Sequence, residues 1–101
     1  MALHIITGPP ASGKSTFVQD NAQPGDIRID LDRLANHLAG LPVDGHEHDS
    51  RTWAVAKAAR TAAIDTALKH STDMDVWIID SKPTGKNMTK YQQHDAQIHL
   101  I

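Results

Sequence analysis

Cysteine is missing from all 101 residues of the sequence, so disulfides, thiolate nucleophiles, iron–sulfur clusters and Cys-based zinc sites are excluded together. There is no surplus of charge either. Ten Lys+Arg stand against twelve Asp+Glu, a net charge of −2, which is not the basic excess that by itself argues for nucleic-acid binding. No apolar run approaches the roughly 18–20 residues needed to span a bilayer, and the amino terminus lacks a charged-then-apolar signal. No membrane partner is therefore expected, and the cytoplasm is the default location. Repeats, low-complexity tracts and interdomain linkers are also missing. What remains is 40% hydrophobic and 22% charged, the balance of a soluble globular domain rather than a disordered tail. A chain of this length has room for one domain, burying roughly 65% of the surface it exposes when unfolded.

Two kinds of segment alternate along the chain. Leu3-His4-Ile5-Ile6-Thr7 is a short β-branched run ending on Gly8, and Lys14 to Asp20 reads as a helix halted near Asn21 and Pro24-Gly25. Asp26 to Asp30 reads as a second strand, followed by a helical stretch from Leu31 to Leu38. Gly40 and Pro42 punctuate the next segment, and Val43 to Asp49 looks like loop. The longest helix is predicted from Ser50 to about His70, where seven of the twenty residues from Arg51 onward are alanine. Its apolar stripe comprises Trp53, Ala56, Ala59, Ala63, Ile64, Ala67 and Leu68, with Arg51, Lys57, Arg60, Asp65 and Lys69 largely off it. Val76-Trp77-Ile78-Ile79 is a continuous apolar run before Asp80, as suits a strand buried on both faces. Lys86 to His94 forms a further helix, and Ala96 to Ile101 returns to strand character. This is the βαβ grammar of a parallel sheet covered on both sides.

Gly8-Pro9-Pro10-Ala11-Ser12-Gly13-Lys14-Ser15 satisfies G-x-x-x-x-G-K-[ST], with an apolar strand before it and a helix after it. A phosphate chain needs several backbone N–H groups converging on it, and glycine lets the main chain wrap closely. The helix start adds unpaired N–H groups and a positive dipole end. Gly8 to Thr16 are thus the nucleotide-binding candidates: Gly8, Pro9, Pro10, Ala11, Ser12, Gly13, Lys14, Ser15 and Thr16. Lys14 supplies a point charge to the β/γ-phosphates, and the Ser15 hydroxyl is a ligand for Mg²⁺.

Asp30 closes the second strand, and the carboxyl ends of parallel strands line one crevice, so it should face the same cleft as the loop. Phosphoryl transfer to a hydroxyl needs a carboxylate to orient and deprotonate the acceptor, and Arg33, three residues on, carries a planar fork suited to an acceptor phosphate. The alternative makes Asp30 an N-cap and Arg33 a solvated side chain.

Gly8 to Thr16 followed by Ile29-Asp30-Leu31-Asp32-Arg33 resembles the P-loop kinases related to polynucleotide 5′-kinase and the zeta-toxin kinases. Phage-encoded proteins of this type are often labelled AAA-like ATPases. The resemblance implies that Asp30 is the general base and that Arg33 binds acceptor phosphate, with Lys14 completing the catalytic set. It also implies a four-stranded sheet of order 2-3-1-4 in a three-layer α/β fold, spanning residues 1–101 as a single domain. Val76 to Ser81 resembles the family's third strand and its terminal Asp-Thr pair, with Ser81 in place of threonine. The family continues with a lid carrying transition-state arginines and a further strand, whereas this sequence stops at Ile101 and has no arginine after Arg60. Weak catalysis is therefore expected unless Arg51, Arg60 or another subunit supplies that group, since such an arginine is worth on the order of 10³–10⁵ in rate.

Lesser signals have plain alternatives. Asp80, at a strand end, is a candidate for the magnesium shell or a helix cap. His46-Glu47-His48-Asp49, with Asp44 nearby, makes a poor zinc set and reads as solvated loop. Arg51, Lys57 and Arg60 line an acceptor groove or form a solvated helix face, the latter being favoured. Trp53 and Trp77 read as core, with base stacking the alternative. Lys82, Lys86 and Lys90 read as solvation, and the scattered histidines receive no role. The expected function is Mg²⁺-dependent ATP or GTP binding with phosphoryl transfer to a hydroxyl of a polynucleotide 5′ end or a nucleotide. The alternatives are a nucleotide-binding module that hydrolyses slowly and acts through a protein partner, or a non-catalytic interaction protein with a vestigial loop. The last strand, left on an edge, is a pairing hazard, and a homodimer through it is expected.

Overall fold

A computed structural model describes residues 1–42 and 47–101. Short β-branched runs form the strands β1 (Leu3–Thr7), β2 (Ile27–Ile29), β3 (Val76–Ile79) and β4 (Gln97–Leu100). Between them lie α1 (Lys14–Asn21), α2 (Leu31–Ala39), α3 (Ser50–Leu68) and α4 (Gly85–Gln93). The four strands form one parallel sheet of order β2-β3-β1-β4, as the resemblance implied. In the central pair Leu3 stands beside Val76 and Ile6 beside Ile79.

Alternation along β1 and β3 divides the apolar side chains between two cores, which is why neither strand shows a polar face in the sequence. Leu3, Ile5, Val76 and Ile78 pack with Ile64, Ala67 and Leu68 of α3 and Tyr91 of α4. Ile6 and Trp77 pack on the opposite face with Val18 and Ala22, beside Phe17 and Ile79. The result is three layers, with α1 on one side of the sheet, α3 and α4 on the other, and α2 against α3. All strands end at the same side of the sheet, and this brings the β1–α1 loop and the residues after β2 and β3 together.

On α3 the buried stripe is narrower than the sequence implies. Ala56, Ile64, Ala67 and Leu68 are buried, whereas Ala63 is exposed. Arg60, expected on the solvated face, is half-buried because it turns toward the end of β3. Trp53 also departs from the core reading. It is half-buried and belongs to neither apolar cluster, since the first turns of α3 extend past the last residues of β3. Trp77 is a core residue, as read, with its indole N–H donating to Asp26 at 3.0 Å. On the β4 edge Ile98 and Leu100 are exposed. No helix among the described residues is long and apolar enough to cross a membrane.

Candidate nucleotide-binding site

β1 delivers the chain to Gly8, whose φ of +146° no ordinary side chain adopts readily. A Cβ there would lie 2.5 Å from the carbonyl oxygen of Ile101, so a methyl group has no room. Ala11 and Gly13 also have positive φ, at 57° and 93°. Such reversals turn successive peptide N–H groups inward, the concave arrangement that binds anions. Gly13 caps α1 without any side-chain acceptor, so the first N–H groups of the helix are left facing the loop. Across the loop base, the Ser81 carbonyl accepts from Thr7 Oγ1 at 3.0 Å and from the Gly8 N–H at 3.3 Å, tying the ends of β1 and β3.

Lys14 is buried. Its ammonium donates to Gly8 O at 3.0 Å, to Pro9 O and to Ser12 Oγ at 3.3 Å. No carboxylate pairs with it among the described residues. A buried cation that meets only dipoles remains incompletely neutralised, and an anion in the loop completes the arrangement.

Ser15 Oγ donates to Asp30 Oδ2 at 2.7 Å. The other carboxylate oxygen accepts from the N–H groups of Asp32 at 3.1 Å and Arg33 at 3.5 Å, capping α2. Asp30 therefore caps the helix with one oxygen and meets the loop with the other, so the two readings of this residue are compatible. Arg33 Nε stands 3.8 Å from Asp30 Oδ2, with its side chain 45% exposed. Between the loop and these carboxylates opens a cavity of about 630 Å³, bounded by Pro10 to Thr16, Asp30, Asp32, Ile79 and Ser81. The Ser15 hydroxyl and substrate phosphates are hard oxygen donors of the kind Mg²⁺ accepts, and carboxylates border the same space, so the residues present fit a magnesium nucleotide. Among the described residues no cluster of three or more histidine or acidic side chains could hold a metal by itself.

Asp80, the other candidate for the magnesium shell, ends β3 among different partners. Its Oδ2 accepts from the Tyr91 hydroxyl at 2.8 Å and lies 3.6 Å from the Arg60 guanidinium, which also donates to Ile79 O at 3.0 Å. Burial, reinforced by the Asp80 carboxylate, pushes the Tyr91 hydroxyl well above its ordinary value near 10. Asp80 and Arg60 border a second cavity of about 270 Å³, which shares Asp30, Asp32, Ile79 and Ser81 with the first. Of the doubtful zinc set, His46 lies outside the described residues, as does Asp44. Asp49 caps α3 through the Arg51 N–H at 2.8 Å, and His48 Nε2 is 2.6 Å from Asn36 Oδ1. Lys90 pairs with Asp65 at 2.9 Å.

Residues 3–81, from the first residue of β1 to the serine after Asp80, match an AAA domain. The chain belongs to the AAA domain family. No curated protein and no solved structure matches it. An AAA domain of this kind is a P-loop nucleotide-binding domain, and the matched stretch holds the whole loop together with Asp30 and Arg33. In this AAA domain the sequence reading missed Tyr91, which lies beyond the matched residues, and the inward turn of Arg60. The signal for Tyr91 was faint: it is the one tyrosine in the chain, on a mostly polar helix. For Arg60 the sequence left an acceptor groove open but favoured solvent, because a charged residue beside an alanine stripe looks the same whether it faces water or a strand end.

Proposed function

We propose that this AAA domain binds ATP or GTP with Mg²⁺ and transfers the γ-phosphoryl group to a hydroxyl, on a polynucleotide 5′ end or a nucleotide. The loop N–H groups and Lys14 cradle the donor phosphates. Mg²⁺, when bound through Ser15 and the phosphates, neutralises charge on the transferring group. Asp30 takes the proton as the acceptor oxygen bonds to phosphorus and the nucleoside diphosphate leaves. Arg33, exposed beside Asp30, grips the acceptor's own phosphate. The observation that supports this reading best is the 2.7 Å contact between Asp30 and the loop serine, because it holds a carboxylate beside the loop that would bind the donor.

One observation favours the slower alternative, a nucleotide-binding module with weak hydrolysis that acts through a partner. Arg60 is engaged by Ile79 O and Asp80 rather than turned toward the loop. Incubating γ-labelled ATP with a panel of hydroxyl acceptors separates the two. Label in an acceptor, lost in Asp30→Asn, supports transfer. Label in free phosphate alone supports the module, and transfer unchanged in Asp30→Asn removes the assigned base.

A further inference from the structure

The cavity beyond Asp30 contains an unexpected aromatic side chain. Trp53 is a large apolar residue on α3, yet it joins neither core cluster and remains half-exposed where it borders the 270 Å³ space. The other walls mix apolar Leu31 and Ile79 with three carboxylates, Asp30, Asp32 and Asp80, and two cations, Arg60 and Lys82. Arg60 Nε is buried there without a hydrogen-bond partner. The indole already holds flat and cationic neighbours. The His48 ring stacks on it with centroids 5.1 Å apart and planes 23° from parallel, and Lys57 Nζ stands 5.7 Å from its centre. Base stacking on such a surface tolerates any base, because every base has a π-face, and nearby cations reinforce it.

We propose that Trp53 is the stacking platform for a nucleobase attached to the acceptor, which makes the preferred acceptor a nucleoside-bearing hydroxyl rather than a simple sugar alcohol. This rests on the reading that Asp30 activates the acceptor, because Asp30 also borders the cavity at Trp53 and a hydroxyl there has the indole within the same space. Among the walls Lys82 supplies positive charge for such an occupant, while Arg60 is held by Asp80 and Ile79 O. Trp53 acts on binding and selectivity and takes no part in the proton transfer.

Two readouts test the proposal, one of them independent of catalysis. Titrating the protein with a 5′-hydroxyl dinucleotide should quench tryptophan emission, and Trp53→Phe should abolish most of the quench, because Trp77 is buried in the other core. In transfer assays Trp53→Ala should raise KM for the dinucleotide roughly tenfold, with Trp53→Phe recovering most of the loss. With glycerol as acceptor neither variant should change KM. Quenching without transfer keeps the stacking site and removes the phosphotransfer reading instead. Transfer to the dinucleotide with KM the same in Trp53→Ala, or an equal loss with glycerol, overturns the stacking site. Circular dichroism of both variants excludes unfolding as the cause, and Trp53→Phe remains informative if the alanine variant fails to fold.

Discussion

Asp30 and Asp80 are nearly matched pieces of sequence: each is an aspartate directly after a parallel strand, with side chains only 12% and 10% exposed. Their surroundings separate them. Asp30 is bonded to a hydroxyl, two main-chain N–H groups and an exposed arginine, all of which border the loop cavity or solvent. Asp80 takes its partners from α3 and α4, a phenol with no exposed surface and a mostly buried guanidinium, and borders the smaller cavity. A carboxylate at a strand end thus takes its partners from whichever elements lie over it. Where no helix intervenes, its partners can be exchanged for substrate. Where two helices supply those partners, the same group fastens them to the sheet.

The comparison can be broken most severely at the cation that serves the open side. Lys14→Ala should abolish nucleotide binding, so that isothermal calorimetry with ATP and Mg²⁺ registers no heat. Binding at wild-type affinity would mean that the loop amides alone suffice. Next in size, Asp30→Asn should leave binding and folding in place, since asparagine still caps α2, while transfer falls about 10²–10⁴-fold, the usual contribution of a positioned general base.

On the Asp80 side the effect should appear in stability. Tyr91→Phe removes the hydroxyl that satisfies Asp80, and urea unfolding should show a loss of about 1–3 kcal/mol. The pH dependence provides a second check on the same residue. Because the native state raises the Tyr91 hydroxyl, the unfolded chain releases that proton first, so wild-type stability should decline as pH climbs past about 10. That contribution to the alkaline decline should vanish in Tyr91→Phe, and an unchanged alkaline limb would falsify the buried contact.

The smallest effect concerns a third place, where His4 stacks on Trp77 at 3.9 Å and its Nδ1 lies 3.0 Å from His99 Nε2. Partial burial, then the neighbouring His99, holds His4 below its ordinary value of 6.5. The unfolded chain then binds the proton more readily, so stability should fall as pH drops through about 6.5 and below. The slope is limited to one proton, about 1.4 kcal/mol per pH unit at most. His4→Gln should flatten this limb in thermal melts recorded from pH 7.5 to 5.5.

Much of the fold was legible because local signals agreed with one another. The G-x-x-x-x-G-K-S loop sits between a β-branched run and a helix, Val76 to Ile79 reads as a strand buried on both sides, and alanine marks the long helix. The strand order was not contained in periodicity and came from resemblance. At the site, the loop and the approach of Asp30 follow from topology, since parallel strands end on one side. What the sequence did not show is orientation about α3. Whether Arg60 and Trp53 face the core, the solvent or a cavity depends on where that helix overruns the sheet. A rotation of a few tens of degrees would exchange those answers without altering a single residue.

The first loop glycine is closed in most tightly by the main chain of Ile101, with Ser12 Oγ behind it. A mutational scan that truncates side chains is blind to that wall, since every substitution at position 101 retains the same carbonyl. Anything that displaces the outermost strand by an ångström therefore reshapes the mouth of the loop, transmitting strain between two segments that lie more than ninety residues apart in the sequence.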